Sequence, residues 1–403
     1  MEEKYDVIIV GSGVAGCFSA LQFPEDYNIL MITKQTMDKS NSYLAQGGIC
    51  VLKSPNDRDA FIEDTLKAGH YENNVEAVKM MVDSSKSVIE ELETIDVEFD
   101  KDNQEYSYKK EGENSSARIL YHEDITGKEI TSKLIKKVQE KNNITILENM
   151  EMIDVLENEN QCYGIVIRNK NKKNMYIYAS YVILATGGVG GLYPHSTNYA
   201  HIQGDAMQIA MKHNIKCKDI DYVQFHPTTL YSPKSGQRFL ISESVRGEGA
   251  LLYNKNKERF TNELLPRDIL TKEIYKQMKA DNQPYVWLSM MDIKEVDIEK
   301  RFPTIIAHCR KIGYDPKKEW IPVVPSQHYF MGGIAIDLQG KTSMKCLYAA
   351  GETACNGVHG KNRLASNSLL ESLVFAKRAA KDIIDQKRET YDWKKAEISK
   401  KDI

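Results

Sequence analysis

The sequence lacks several features that would place it in common classes of protein. No window approaches the roughly 18 consecutive apolar residues that a membrane-spanning helix needs. The first residues, MEEKYDVIIV, do not have a basic region followed by an apolar one, so no signal peptide is expected. A basic excess is also missing, because 54 Lys and Arg stand against 57 Asp and Glu. These absences predict a cytoplasmic protein that binds neither a membrane nor nucleic acid.

Cysteine is scarce and scattered. The seven cysteines form no Cys-x-x-Cys pair, and their number is odd. This pattern predicts free thiols in a reducing compartment and argues against zinc or iron–sulfur ligation. We therefore expect no metal site. The seven are Cys17, Cys50, Cys162, Cys217, Cys309, Cys346 and Cys355.

What the sequence does contain is an alternation of buried strands and helices. The apolar run YDVIIV (5–10) predicts a strand, VAGCFSALQF has the spacing of a helix, and YNILMIT (27–33) predicts the next strand. This order is typical of a doubly wound, Rossmann-like α/β unit. Later segments predict a helix in TSKLIKKVQEK, a strand in ITILEN, and a hairpin followed by another buried strand in CYGIVIRNKNKKNMYIYASYVILATGG.

The rhythm changes in the second half of the chain. Residues 220–330 mix strand-like pieces, prolines and helices, whereas CLYAAGE (346–352) predicts another buried strand, followed by a helix at about 368–386. We therefore expect a nucleotide-binding domain (1–219 and 331–403) interrupted by an α+β domain (220–330). The polar stretch 101–118 is expected to be a long loop. The charged tail 386–403 is expected to be frayed or a solvated helix.

A glycine-rich turn joins the first predicted strand to the first helix. Gly11 permits a tight turn, Gly13 lets the backbone approach a pyrophosphate, and Gly16 lets the helix pack closely on the strand. The motif predicts dinucleotide binding, and the alternative is a plain strand–helix turn. The acidic residue that usually binds the ribose is absent, since Thr33 and Lys34 stand at its place. That departure argues against a nicotinamide cofactor.

Further glycine-containing loops follow other predicted strands or polar segments. These are SNSYLAQGGI (40–49), ATGG (185–188) and AAGE (349–352). Each is a weak signal alone. Taken with the first glycine motif, they predict several loops that converge on one extended ligand.

The motifs GSGVAG, AQGGI, ATGG, FHPT, SVRGEGA, PRD and HGKNRLASNSLLE occur in the order typical of one family. Together they resemble the flavoproteins of the succinate dehydrogenase, fumarate reductase and L-aspartate oxidase family, over about residues 5–385. The resemblance implies a Rossmann-like FAD-binding domain with an inserted α+β capping domain, and an active site between them.

Two residues favour the aspartate-oxidising branch of that family. The membrane dehydrogenases attach FAD through a histidine five residues before the Gln of AQGG, where this chain has Asn41, so FAD is expected to be non-covalent. Glu111, in KKEGENSSARIL (109–120), matches a glutamate where the succinate enzymes tend to have Phe. A carboxylate there would pair with the ammonium group that distinguishes aspartate from succinate. The alternative for Glu111 is a solvated loop charge.

The resemblance also implies roles for other residues. His226, Ser242, His328 and Arg363 would clamp the substrate carboxylates, although histidines at such positions are often only packed in a core. Arg267 would transfer the proton or act as an electrostatic clamp, in a relay with Glu243 and Arg246; the alternative is a surface pair between Arg267 and Asp268. The residues expected at the cofactor are Gly11, Ser12, Gly13, Ala15, Gly16, Thr33, Lys34, Ser40, Asn41, Ser42, Ala45, Gln46, Gly47, Gly48, Ala185, Thr186, Gly187, Asn198, Asp205, Gly351, Glu352, Ser366, Asn367, Ser368 and Leu369.

The expected reaction is oxidation of L-aspartate to iminoaspartate with hydride transfer to the flavin, which O₂ or fumarate then reoxidises. The product would feed quinolinate and NAD biosynthesis, with functional coupling to quinolinate synthase. Two alternatives stay open. One is a soluble fumarate reductase or succinate dehydrogenase flavoprotein, which shares every clamp residue. The other is a non-catalytic FAD-binding scaffold, because relatives usually continue into a further helical domain where this chain stops at residue 403.

Overall fold

A computed structural model describes residues 4–386 of the chain. The strands, in chain order, are β1 (Lys4–Val10), β2 (Ile29–Thr33), β3 (Ile49–Cys50), β4 (Lys101–Asp102), β5 (Glu105–Tyr106), β6 (Ile119–Leu120), β7 (Ile144–Glu148), β8 (Glu151–Asn158), β9 (Gln161–Arg168), β10 (Asn174–Leu184), β11 (His195–Ser196), β12 (Cys217–Lys218), β13 (Val223–Leu230), β14 (Gly236–Gln237), β15 (Leu251–Tyr253), β16 (Val286–Ser289), β17 (Ile321–Phe330), β18 (Gly333–Ala335), β19 (Leu347–Ala349) and β20 (Ala354–Cys355). The helices are α1 (Val14–Leu21), α2 (Arg58–Ala68), α3 (Val75–Thr94), α4 (Thr126–Gln139), α5 (Asp205–Lys212), α6 (Glu243–Gly247), α7 (Arg267–Asp281), α8 (Ile298–Arg301), α9 (Pro303–Lys311) and α10 (Asn367–Asp385).

The largest sheet confirms the predicted Rossmann-like unit. Its strand order is β7-β2-β1-β10-β9-β8, and β1 pairs in parallel with both β2 and β10. All five residues of β2 are buried, as expected for a parallel strand that is covered on both faces. Helices α1 and α10 pack on one face of the sheet within the largest apolar core. The carboxyl ends of β1 and β10 therefore lie side by side, and the glycine turns follow them.

Two sequence expectations need correction. The predicted hairpin strand and the buried strand after it are one strand, β10, whose first half pairs with β9 and whose second half pairs with β19. One continuous strand suffices because β9 ends and β19 takes its place along the same edge. The predicted loop 101–118 contains the short hairpin β4–β5 before it becomes irregular. Each of the two strands has only two residues, too few for the alternation that would have revealed the hairpin.

A second sheet forms the α+β part of the molecule. Its order is β14-β11-β17-β16-β15, and β13 also pairs with β17. Helices α6 to α9 complete this part, which has its own apolar core between Leu230 and Val323. Strand β11 joins this sheet although it precedes residue 220. The inserted capping domain is thus present as a separately packed layer.

Helix α10 packs against α1 and α3 within the largest apolar core. It runs from Asn367 to Asp385 and buries twelve of its residues. The expectation for the tail from 386 onward lies, apart from Gln386 itself, outside the described residues. Within residues 4–386, no helix is long and apolar enough to cross a bilayer.

Gly16 provides a test of the packing between α1 and β1. A Cβ on this residue would lie 1.9 Å from the Gly11 backbone oxygen, and neither backbone segment can move without opening the turn. We expect Gly16→Ala to lower the free energy of unfolding by about 3 kcal/mol, the upper range for overpacking. Urea denaturation measures this change. The control is Gly313→Ala, which has a φ of +99° but no atom within 4 Å of its Cβ, so it should cost only about 1 kcal/mol of backbone strain. Equal midpoints for the two variants would contradict the packing argument.

Candidate active site

One cavity of about 530 Å³ lies between the glycine turns of the large sheet and the capping layer. It is lined by most of the residues that the sequence singled out, drawn from segments between Val10 and Ser372. Three predicted residues do not line it, namely Gly16, Arg246 and Asn367. Gly16 packs α1 against β1, and the Asn367 amide donates to Thr65 Oγ1 at 3.1 Å behind the cavity wall. Arg246 lies one layer deeper, as described below.

The glycine turn forms one end of the cavity. Gly11 has a φ of +115°, and its Cβ would lie 2.1 Å from the Ala185 oxygen, so only glycine lets the ends of β1 and β10 approach each other. Ser12 donates to the Met37 carbonyl at 3.0 Å and also contacts Thr33 Oγ1. Ser42 Oγ accepts from the Val14 N–H at the start of α1. The first glycine loop and the Ser-Asn-Ser segment are thereby held together.

Lys34 is engaged within the protein. Its Nζ contacts Asp205 Oδ2 at 2.8 Å and Glu151 Oε1 at 3.0 Å. Burial opposes its charge, but these carboxylates raise the pKa of Lys34 above its usual value. Lys34 and Asp205 both line the cavity, so we predict that this ion pair contacts the nucleotide.

The polar groups at this end fit FAD. The buried side-chain atom Gln46 Oε1 has no hydrogen-bond partner, and Gln46 lines the cavity. Such buried groups need partners, and a polar ligand would supply them. Burial raises the pKa of Glu352 to about 7, and Glu352 accepts from the Phe330 N–H at 3.0 Å. Asn41 accepts from the Tyr199 N–H through Oδ1, an amide contact with no nucleophile for covalent attachment.

Two histidines converge at the opposite end of the cavity. The rings of His226 and His328 are 5.1 Å apart in a T-shaped arrangement. Burial, followed for His226 by Arg267 and for His328 by Arg363, lowers both pKa values well below the usual range, so both rings are neutral. His226 Nδ1 lies 3.1 Å from the Thr228 carbonyl oxygen and 3.2 Å from the Thr228 nitrogen, so Thr228 fixes the ring, and Nε2 has no partner. His226 therefore presents the Nε2 atom of a neutral ring to a ligand.

Arg363 is a buried cation with no carboxylate within ion-pair distance among residues 4–386. Its Nη1 contacts Ser368 Oγ at 3.2 Å, its guanidinium lies 4.5 Å from the centroid of the Tyr329 ring, and its Nε has no partner. Burial and Arg267 lower the pKa of Arg363 to about 10, so it remains charged at neutral pH. A guanidinium held in this way is suited to bind a carboxylate through two donors.

Arg267 begins α7 at the cavity wall, where two side chains hold its guanidinium. Its Nε donates to Glu243 Oε2 at 2.6 Å, and its Nη1 donates to Gln224 Oε1 at 2.9 Å. The alternative of a surface pair with Asp268 is not what the structure shows. Arg246 Nη2 lies 3.7 Å from the same Glu243 oxygen. The three predicted relay residues are thus adjacent, with only Arg246 outside the cavity.

Glu111 lies between the Gln-Gly-Gly loop and the loop before α10. Its Oε2 accepts from Ser366 Oγ at 2.9 Å, its Oε1 accepts from Ser244 Oγ, and Lys109 Nζ is 3.3 Å away. Burial by itself would raise the pKa of Glu111, but Lys109, the serine hydroxyls and Arg267 lower it to about 2. Glu111 is therefore a buried, ionised carboxylate in the cavity wall and not a solvated loop charge.

Sequence reasoning missed three polar residues that hold this site together. Lys109 and Ser244 contact Glu111, and Gln224 joins Arg267 to the Arg363 backbone through its Nε2 at 2.8 Å. Ser244 is the first residue of the motif SVRGEGA, and Gln224 directly precedes the motif FHPT. These motifs could therefore have pointed to both residues. Lys109 is the first residue of the segment KKEGENSSARIL, but it was not singled out there because a lysine in a polar loop is usually solvated.

Comparison with known proteins is consistent with this geometry. The family model described as FAD binding domain matches residues 6–369. A curated L-aspartate oxidase of Clostridium perfringens is 50% identical over 95% of this chain and 87% of its own length. The L-aspartate oxidase of Clostridium acetobutylicum is 45% identical over 95% of this chain and 88% of its own length. The chain belongs to the L-aspartate oxidase family.

Solved structures of related family members support the fold. A quinol–fumarate reductase with menaquinol molecules is 28% identical and has a TM-score of 0.92, covering 99% of this chain and 74% of that one. A Mycobacterium smegmatis Sdh1 complex is 27% identical with a TM-score of 0.82, covering 97% and 70%. The L-aspartate oxidase family thus shares its fold with the fumarate reductases, and FAD is its cofactor.

Proposed function

We infer that the protein oxidises L-aspartate to iminoaspartate with FAD as cofactor, and that O₂ or fumarate accepts the electrons. The observation that carries this inference is the ionised carboxylate of Glu111 in the wall of the same cavity as Arg363, His226 and His328. Arg363 and the histidines suit carboxylates, whereas Glu111 suits an ammonium group. A ligand that satisfies both sets is an amino dicarboxylate.

The substrate carboxylates are proposed to bind Arg363, His328, His226 and Ser242. Arg363 provides the charge, and the neutral histidines are proposed to act as N–H donors in the tautomers that carry the proton on Nε2; their lowered pKa values add no competing titration near pH 7. Ser242 Oγ lies 3.1 Å from Ser244 Oγ, which links this carboxylate site to the Glu111 cluster. Two fixed anion sites and one cation site would orient the substrate Cα, and this orientation contributes to the rate.

Arg267 is proposed to move or stabilise the proton that the substrate loses. Arginine normally stays protonated, so its partners determine what it can do. Glu243 Oε2 at 2.6 Å can receive a proton from Arg267 Nε, and Arg246 lies beside Glu243. This arrangement suits a relay of Arg267, Glu243 and Arg246 leading away from the cavity.

FAD, when bound, supplies the acceptor for the two electrons that leave the substrate. The glycine turn after β1, the Ser40–Gly48 loop and Glu352 are proposed to hold its nucleotide and flavin parts. Ser366, Ser368 and Leu369 line the cavity where α10 begins, and this helix end favours negative charge. Asn41 offers no covalent link, so we propose non-covalent binding.

The wider context is also proposed. We assign residues 1–219 and 331–403 to the FAD-binding domain and 220–330 to the cap, which is supported by the separate core between Leu230 and Val323. Strand β11 precedes residue 220 but pairs with β17 in the cap sheet, so the edge of that sheet does not coincide with the proposed boundary at residue 220. Functional coupling to quinolinate synthase and a cytoplasmic location are likewise proposals.

Anaerobic addition of substrate to FAD-loaded protein tests the function. We expect L-aspartate to bleach the flavin absorbance and succinate to leave it unchanged, with peroxide formed when air is admitted. The reason is that only aspartate supplies the cation that Glu111 matches. Bleaching by succinate alone would instead identify a dicarboxylate dehydrogenase. No bleaching by either ligand, with FAD bound, would favour a non-catalytic scaffold.

A further inference from the structure

Lys109 is a buried cation that already contacts the carboxylate assigned to the substrate ammonium. Its Nζ lies 3.3 Å from Glu111 Oε1, 2.8 Å from Ser244 Oγ and 3.3 Å from the Gly47 carbonyl. The Lys109 side chain is 6% exposed and that of Glu111 is 2% exposed. A second cation that binds Glu111 must therefore share a dry carboxylate with Lys109.

Two like charges on one buried carboxylate repel each other strongly, because little water screens them. An arginine in place of Lys109 would have to keep its charge, whereas a lysine can lose its proton. The resting state is already favourable for such a loss, since burial lowers the pKa of Lys109 to about 8 against the opposing effect of Glu111. The carboxylate itself stays ionised.

The other charged groups around Lys109 do not lose a proton in its place. Arg301 and Glu248 face it from α8 and the end of α6, and they pair with each other at 3.4 Å. The Tyr121 ring centroid lies 4.8 Å from Nζ, and the positive charge of Arg267 lowers the pKa of Glu111. No histidine is among the groups that perturb Lys109. Among the groups in contact with Glu111, Lys109 has a pKa of about 8; Glu113 and Glu352, whose pKa values burial raises to about 7, are not among the contacts of its Nζ with Glu111, Gly47 and Ser244.

We propose that Lys109 is a specificity-determining positioning residue that holds Glu111 ionised in the empty site and releases its proton to solvent when a substrate ammonium group binds Glu111. The proton leaves Nζ, the Nζ lone pair remains, and neutral Lys109 can still donate to Gly47 and Ser244. An amine-free dicarboxylate does not trigger the release. This inference rests on the proposed function, because it takes Glu111 as the ammonium site.

Two ligands of nearly equal shape isolate the effect. In 2-methylaspartate, the α-carbon bears an ammonium, a methyl and a carboxylate, and it has no hydrogen to lose. In 2,2-dimethylsuccinate, a second methyl replaces the ammonium. Calorimetric titration of FAD-loaded protein at pH 7, in two buffers of different ionisation enthalpy, counts the protons released by each ligand.

We expect 2-methylaspartate to release roughly 0.5 to 0.9 proton at pH 7 and 2,2-dimethylsuccinate to release close to none. Above pH 9 the release should vanish, because Lys109 is then neutral before the ligand binds. Lys109→Met should abolish the release at pH 7. The exposed neighbour Lys110 supplies the matched control, and Lys110→Met should leave the release unchanged.

Lys109→Arg distinguishes displacement of charge from a merely structural role. Its permanent charge should weaken 2-methylaspartate by about tenfold or more while leaving 2,2-dimethylsuccinate within about threefold. An unchanged proton count in Lys109→Met, or equal effects of Lys109→Arg on both ligands, would overturn the proposal.

Failure of the proposed function would look different. If neither ligand binds the wild-type protein and L-aspartate does not bleach the flavin, the dicarboxylate site itself is wrong and both inferences fall. If aspartate bleaches the flavin but 2-methylaspartate releases no proton, the function stands and only the role of Lys109 is overturned.

Discussion

Replacing Arg267 with leucine is expected to lower kcat for L-aspartate by about 10³-fold or more, while the protein keeps its FAD. The size of this decrease follows from the loss of a positioned proton-transfer group, which typically contributes a factor of about 10² to 10⁴ to the rate. FAD should remain because Arg267 contacts Glu243 and Gln224 at the substrate end and not the glycine turns. Anaerobic stopped-flow reduction of the flavin by aspartate measures the step directly.

The leucine variant also leaves the carboxylate of Glu243 buried, which can destabilise the fold. Arg267→Lys avoids that difficulty, since it keeps a cation beside Glu243 but cannot bond both Glu243 and Gln224 as the guanidinium does. We expect a large loss of rate there too, with an unchanged unfolding midpoint. Arg310→Leu, which removes an exposed arginine paired with Glu299, is the matched control. Normal flavin reduction in either Arg267 variant would remove Arg267 from the mechanism.

Replacing Glu111 with glutamine should separate the two substrates of the family. We expect kcat/KM for aspartate to fall by about 10- to 150-fold, the value of a charged hydrogen bond of 1.5 to 3 kcal/mol. Fumarate reduction by the dye-reduced enzyme should change by less than about threefold, because fumarate has no ammonium group. Lys109 is then buried without its anion, and this burial favours its neutral form.

Steady-state kinetics with both substrates check this expectation. Glu105→Gln, on the exposed β4–β5 hairpin, provides a control that removes a carboxylate from the same polar region. Equal losses for aspartate and fumarate would show that Glu111 supports the site without recognising the ammonium group. The double variant Lys109→Met/Glu111→Gln removes both charges and tests whether any residual effect comes from the lysine.

The local pattern of the chain was enough to predict the scaffold. The β1–α1–β2 unit, the glycine turn and the start of α10 follow from apolar periodicity and from glycines whose backbone must lie close to another strand. The same reasoning failed where local signals were weak or shared. It divided β10 into two strands, and it missed the β4–β5 hairpin because each of these strands has only two residues.

The motifs also identified the candidate substrate-binding residues, but they did not predict how these residues are arranged in space. His226 and His328 are about a hundred residues apart, and only the pairing of β13 with β17 places their rings 5.1 Å from each other. The placement of Asn367 behind the cavity wall was likewise invisible, because a helix start exposes some of its polar residues and buries others.

By itself, the sequence determined the class of fold and the glycine turns for a dinucleotide, since these depend on short patterns that act locally, and the family of reaction was implied by the resemblance of its ordered motifs. Tertiary structure alone decided the charge state of the site. Lys109, Glu111, Ser244 and Ser366 come from three segments of the chain, and each would be an ordinary solvated polar residue in isolation. Folding removes water from all four together. Burial lowers the pKa of Lys109 to about 8, whereas Lys109, the serine hydroxyls and Arg267 keep Glu111 ionised against the opposing effect of burial.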